Sequence, residues 1–135
     1  MKQLCIEISS ERNHIKEVEA LMLEANKEFG LNNDEYGKMM IAVTELVMNA
    51  IVHGNKEDAA KKVCITVEFN SKEMKVIIKD EGRGFVISDL PDPTEIERLL
   101  DSHGRGVYIA KAMVDKIDYK HGAKGTEFTL TILKK

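Results

Sequence analysis

The chain opens on an alternating segment in which Leu4, Ile6 and Ile8 recur at every second residue between polar neighbours, the period of a half-buried strand. Ser9 and Ser10 follow as candidate N-caps. After them Ile15, Val18, Leu21, Met22, Ala25 and Phe29 recur at three- and four-residue spacing until Gly30, which predicts an amphipathic helix with a glycine stop. A second helix is predicted from about Asn33 to Val52. Its apolar positions, among them Met39, Val43, Leu46, Val47 and Ile51, fill more than one face, so it reads as the central buried helix. Beyond a lysine-rich break from Gly54 to Lys62, the runs Val63 to Phe69 and Met74 to Lys79 predict an antiparallel hairpin turning at Asn70 to Glu73.

The stretch 81–104 contains Gly82, Gly84, Gly104 and both prolines, with one short helix predicted from Thr94 to Leu100. It reads as a mobile connection. Helical spacing returns from Gly104 to Ile117 through Val107, Ala110, Met113, Val114 and Ile117, and two closing strands are predicted near Asp118 to His121 and Thr126 to Leu133. The order of strand, two helices, hairpin, loop, helix and hairpin predicts an α+β fold. Its natural form is a two-layer α/β sandwich, a mostly antiparallel mixed sheet with helices on one face.

At 135 residues the chain is read as a single domain, 1–135, with room for one proper core and no more. Lys and Arg number 20 against 23 Asp and Glu, and only 5% of residues are aromatic, so neither bulk electrostatic attraction to nucleic acid nor base stacking is expected. Cys5 and Cys64 show no metal-ligand spacing, and neither an export signal nor an apolar membrane span is visible. The expected setting is cytoplasmic.

Three clusters carry chemistry. Glu45, Asn49 and His53 fall at i, i+4 and i+8 of the second predicted helix, forming one polar stripe on an otherwise apolar element. A buried carboxylate and amide need partners, and oxygen donors of this kind suit Mg²⁺; a stripe of this sort also serves as an internal hydrogen-bonded packing device. Asp80, Gly82 and Gly84 lie directly after a predicted apolar strand, so a carboxylate emerges at a strand end among residues that let a ligand approach the backbone. An ordinary acidic glycine turn has the same pattern. His103, Gly104, Arg105 and Gly106 precede the last helix, where free backbone N–H groups suit a phosphate and Arg105 can add charge. Neither the GxxxxGK[ST] loop nor GxGxxG is present, which sets aside the common nucleotide folds.

Together and in this order the clusters resemble the GHKL ATPase superfamily. Glu45 to Gly54 is similar to its N box, Asp80 to Phe85 to its first glycine box and Gly104 to Ile109 to its second, with Thr126 where the family places a nucleotide-side threonine. The likeness runs from Ser10 to Leu133. A domain of this length with its own leading strand and helix is most similar to the freestanding anti-sigma factor serine kinases.

The resemblance implies ATP and Mg²⁺ as cofactors, Glu45 as the catalytic base and Asn49 as the Mg²⁺ ligand. It makes Asp80 the adenine-reading carboxylate and Gly82, Gly84, Gly104, Arg105, Gly106 and Thr126 further nucleotide contacts. Residues from about Val86 to His103 become an ATP lid. The implied partners are a sigma factor and a small antagonist protein whose serine is phosphorylated, and the implied assembly is a homodimer. Arg105 stands where the sporulation kinases of this group carry a methionine. Two functional classes stay open, a protein serine kinase and a regulatory module that binds ATP only to switch its partner surface. A detached histidine-kinase catalytic domain is disfavoured because no long helical hairpin accompanies it.

Overall fold

The computed structural model describes residues 2–82, 105–122 and 125–134. Among these residues five strands, β1 (Lys2–Ser9), β2 (Lys62–Phe69), β3 (Glu73–Lys79), β4 (Lys116–Gly122) and β5 (Gly125–Leu133), form one sheet in the order β1-β2-β3-β5-β4. Every described pairing is antiparallel, the limiting case of the expected topology. The register aligns one core row across all five strands, Leu4, Val67, Val76, Leu130 and Ile117. Side chains alternate across a strand, so a shift of one residue would turn these rows to solvent. On the opposite face Lys75, Ile77 and Lys79 of β3 are half-buried or exposed, as are Cys64, Thr66 and Glu68 of β2.

Among the described residues three α-helices cover the apolar face: α1 (Ile15–Phe29), α2 (Asn33–Asn49) and α3 (Arg105–Met113). Val18, Met22, Ala25 and Phe29 of α1 and Met39, Ala42, Val43, Leu46 and Val47 of α2 join the strand residues in one buried cluster. Phe29 meets Phe69 edge to face at 6.3 Å. Gly30 ends α1 at φ 84°, a left-handed value that glycine adopts without a Cβ clash. Asn32 starts α2 by accepting the Glu35 N–H at 2.8 Å, and Asp34 and Glu35 place negative charge where the helix dipole favours it.

The structure departs from the sequence reading at three places. Ser9 and Ser10 do not cap α1, which begins after a 3₁₀ turn at Arg12–His14 without a side-chain cap. The Ser10 hydroxyl instead donates to the Lys61 carbonyl at 2.7 Å and accepts from the Asn55 amide at 2.8 Å. The second helix stays α only to Asn49 and continues as a π turn over Ala50–Gly54, in which the Asn55 N–H reaches the Ala50 carbonyl at 2.8 Å. Ile117 belongs to β4, not to the preceding helix, because its apolar side completes the core row opposite Leu130. Among the described residues no helix is long and apolar enough to cross a membrane.

Candidate functional site

The long helix α2 and its π turn form one side of the site. Glu45 and Asn49, four residues apart, share a helix face and are both half-buried. Opposite them lies Gly106, at the start of α3. A Cβ built on Gly106 would lie 2.7 Å from Glu45 Oε2 and 3.4 Å from Asn49 Nδ2. Without a side chain, Gly106 lets α3 begin this close to the two polar groups and leaves the Glu45 carboxylate in place. Asn49 Nδ2 is buried with no hydrogen-bond partner among the described residues. An orphaned buried donor costs about 1–3 kcal/mol, a cost that a bound ligand can remove.

The π turn carries the chain from this polar pair to a second cluster. One residue more per turn than an α-helix would need changes the direction of the side chains that follow, a feature common at functional sites. The predicted stripe therefore stops at Asn49, and His53 is exposed. Gly54 instead reaches Asp80 at the end of β3, where a Cβ on Gly54 would lie 2.2 Å from Asp80 Oδ2. Gly54 stands nine positions after Glu45, roughly 13 Å along the helix axis.

Asp80 is 4% exposed and held from both neighbouring segments. Its Oδ1 accepts the Gly82 N–H at 2.9 Å and the Thr126 N–H at 3.2 Å, while its own N–H donates to the Thr126 carbonyl at 2.9 Å. Burial pushes the Asp80 carboxyl above its ordinary value, against the two backbone N–H groups and the charges of His121 and Lys61. Thr126 is also buried, and its hydroxyl lies 3.1 Å from His121 Nδ1. Gly125 has φ 135°, and a Cβ there would lie 1.9 Å from the Asp80 carbonyl oxygen. Gly82 is as confined, since its Cβ would fall 1.6 Å from the Gly54 carbonyl oxygen.

Of the sequence-selected residues, the structure brings Glu45, Asn49 and Gly106 together at one end and Asp80, Gly82 and Thr126 at the other. Arg105 is the first residue of α3. Gly84, Gly104 and the expected lid from Val86 to His103 lie outside the described residues.

Sequence reasoning placed Gly54 in the N box without a role of its own and missed Gly125 and Asn55 as parts of the site. Asn55 is 1% exposed and ties three segments, donating to Ser10 Oγ and to the Lys62 carbonyl at 3.0 Å and accepting the Glu81 N–H at 2.9 Å. Glu81 in turn accepts the Lys62 N–H. The only signal for Asn55 was its place directly after the N box.

The two clusters suit the two ends of a nucleotide. A carboxylate with one oxygen engaged by backbone donors leaves the other for an amine. The Asn49 side-chain oxygen and the Glu45 carboxylate are hard donors of the class Mg²⁺ takes. No group of three or more His, Cys, Asp or Glu among the described residues could hold a metal, so any ion here needs phosphate oxygens and water to complete its shell.

Comparison with known proteins gives the family and the fold. Residues 8–132 match the histidine kinase-like ATPase domain. The chain is 31% identical over 103 residues to the anti-sigma F factor of Bacillus subtilis, covering 73% of this chain and 69% of that protein. It is 29% identical over 94 residues to the serine-protein kinase RsbW of the same organism, covering 65% of this chain and 59% of that protein. With the anti-sigma F factor of Shouchella clausii the identity is 42% over 59 residues, 44% of this chain and only 39% of that protein.

Among solved structures, the RsbU and RsbW domains of a Mycobacterium tuberculosis protein superpose with a TM-score of 0.71 at 23% identity, covering 98% of this chain and 33% of that one. The mycobacterial sensor histidine kinase MprB superposes with a TM-score of 0.56 at 16% identity, covering 98% and 97%. These structural likenesses carry the fold. The site at the ends of α2, β3 and β5 and the match across nearly the whole chain lead to one assignment: the chain belongs to the histidine kinase-like ATPase domain family, on the side of its anti-sigma factor and serine-protein kinase members.

Proposed function

We propose that this domain binds ATP with Mg²⁺, transfers the γ-phosphate to a serine of a small antagonist protein, and controls the availability of a sigma factor. The observation that carries the reading is the junction of Glu45, Asn49 and Gly106. A carboxylate, an amide with an unpartnered buried N–H and a glycine-opened helix start meet in one place. Phosphoryl transfer asks the protein mainly for positioning and electrostatic stabilisation, which such a set supplies.

In this reading Asp80 accepts a hydrogen bond from the adenine amine through the oxygen that backbone donors leave available. Thr126 and Gly82 fix the carboxylate by their N–H groups, so its orientation is set before the nucleotide arrives. The first-turn N–H groups of α3, with Gly106, face the phosphates, and Gly84, Gly104 and Arg105 keep the nucleotide-contact role that the resemblance implies for them. Asn49 would hold Mg²⁺ through its side-chain oxygen, and the ion would supply charge neutralisation at the phosphates. Glu45 orients the serine hydroxyl and takes its proton as the serine oxygen bonds to the γ-phosphorus and the bond from phosphorus to the bridging oxygen of ADP breaks.

The homologues named as anti-sigma F factor and serine-protein kinase support the choice of partners, and a homodimer belongs to the same proposal. The test is transfer of labelled γ-phosphate from ATP to candidate antagonist proteins encoded beside this chain. Label on serine supports the reading, and tight ATP binding with no label on any candidate counts against the kinase step.

A further inference from the structure

Beside Glu45, on the solvent side of the helical layer, α1 and α2 leave a groove of about 440 Å³ lined by Glu19, Tyr36, Met40, Ile41, Thr44 and Glu45. Its floor is apolar although it faces water. Ile41 is 45% exposed, and Leu23, one turn along α1 from Glu19 and so on the same helix face, is 51% exposed. A helix directed wholly to its own core would place polar residues at such positions. Both charged residues of the lining are acidic, and no lysine or arginine among the described residues lines it. Glu19 lies close enough to Tyr36 that its charge adds to burial in raising the tyrosine hydroxyl above its ordinary value.

Glu45 belongs both to this groove and to the junction with Gly106 and Asn49. Whatever lies in the groove therefore reaches the residue assigned as base. We propose that the groove seats the segment of the substrate protein that carries the acceptor serine, with an apolar side chain against Met40 and Ile41 and a lysine or arginine against Glu19; this rests on the phosphotransfer reading above. Charge complementarity selects the cation, because two carboxylates at the rim repel an acidic segment and attract a basic one. The apolar contact supplies affinity, and the paired charge sets which side of the serine faces Glu45.

The experiment uses the full chain, labelled ATP and matched serine peptides that carry leucine together with either lysine or glutamate at each position within about four residues of the serine. The lysine series should be labelled about fivefold faster at its best position, in line with an exposed ion pair. Glu19→Lys should reverse the order of the two series. Ile41→Ser should slow the leucine-bearing peptides about tenfold, and in both variants ATP affinity by calorimetry should equal that of the parent, because neither residue touches the nucleotide clusters.

Equal labelling of the two series, or a Glu19→Lys variant that keeps the parent's preference, overturns the groove assignment while leaving the kinase reading in place. Dissociation of a dimer by Ile41→Ser in sedimentation overturns it too, by making the groove a contact between copies. Labelling of no peptide by a chain that does label an antagonist protein overturns the groove assignment alone, whereas labelling of neither by a chain that binds ATP counts against the phosphotransfer reading itself.

Discussion

Replacing Asp80 by Asn separates recognition from stability at a single buried atom. The Asn side-chain oxygen can still accept from the Gly82 and Thr126 N–H groups, at 2.9 and 3.2 Å in the parent, so the backbone junction of β3 and β5 should survive. What changes is the second oxygen, the one beside Gly54, which becomes an NH₂ donor and turns a donor toward the adenine amine. Loss of a hydrogen bond to a charged group costs about 1.5–3 kcal/mol, so ATP affinity should fall about 10- to 150-fold. Inosine triphosphate carries a carbonyl where adenine carries its amine. The variant should bind it better than the parent does.

Stability should move the other way. Burial raises the Asp80 carboxyl, so at pH values between the ordinary and the folded value the folded chain retains a proton that the unfolded chain has released. The contribution of this group is therefore fully present in acid and is lost as pH rises through that window. At neutral pH the nucleotide-free variant should melt at or above the parent's temperature, and the difference should narrow as the pH is lowered through the window. Calorimetric titration and thermal melts on the same samples check both. A folded variant with parental ATP affinity would refute the adenine assignment, and a large loss of stability with nucleotide absent would refute the electrostatic account.

Asn49→Ala should remove most of the Mg²⁺ dependence of ATP binding; titrations with and without a chelator should then differ in the parent and agree in the variant. Gly106→Ala should hold or raise the melting temperature, since alanine favours a helix by up to about 1 kcal/mol over glycine. Its Cβ meets Glu45 Oε2 at 2.7 Å and displaces the carboxylate, so phosphate transfer should drop on the order of 100-fold in a kinetic assay. Gly125→Ala should lose about 2 kcal/mol or more, because φ 135° strains any residue with a Cβ and the Asp80 carbonyl lies 1.9 Å from it; a melting temperature lowered by about 6 °C or more checks this.

Periodicity located the five strands and α1, α2 and α3 because each signal is local. The alternation of Leu4, Ile6 and Ile8 and the spacing of Val18, Met22, Ala25 and Phe29 record which side of an element faces the core. The spacing of Glu45 and Asn49 likewise placed them on one helix face without any knowledge of their surroundings. The misreadings share a cause in long-range partners. Ser10 looked like a cap, but its hydroxyl partners are Asn55 and Lys61, which approach only once β2 has paired with β1. Ile117 continued a helical period and also fitted a strand row that only the β4–β5 register reveals.

The π turn was illegible for a related reason. Its shifted hydrogen bonds bring Gly54 to Asp80, a contact made between an α2 extension and a strand end. Asp80 and Thr126 were each legible as candidates, but the two hydrogen bonds between them depend on the antiparallel pairing of β3 with β5. Glycines such as Gly54 and Gly125 reveal their purpose only when the atom their Cβ would strike is known.

The central claim is that Glu45 acts on the acceptor hydroxyl and not on the nucleotide. Glu45→Ala measured for ATP affinity and for single-turnover transfer of labelled γ-phosphate tests it most directly. A base that acts in the transition state contributes little to ground-state binding, so affinity should remain within about twofold while transfer falls by about 100-fold or more. Transfer at the parent rate by the folded variant would contradict the account, and so would an ATP affinity that falls in step with the rate.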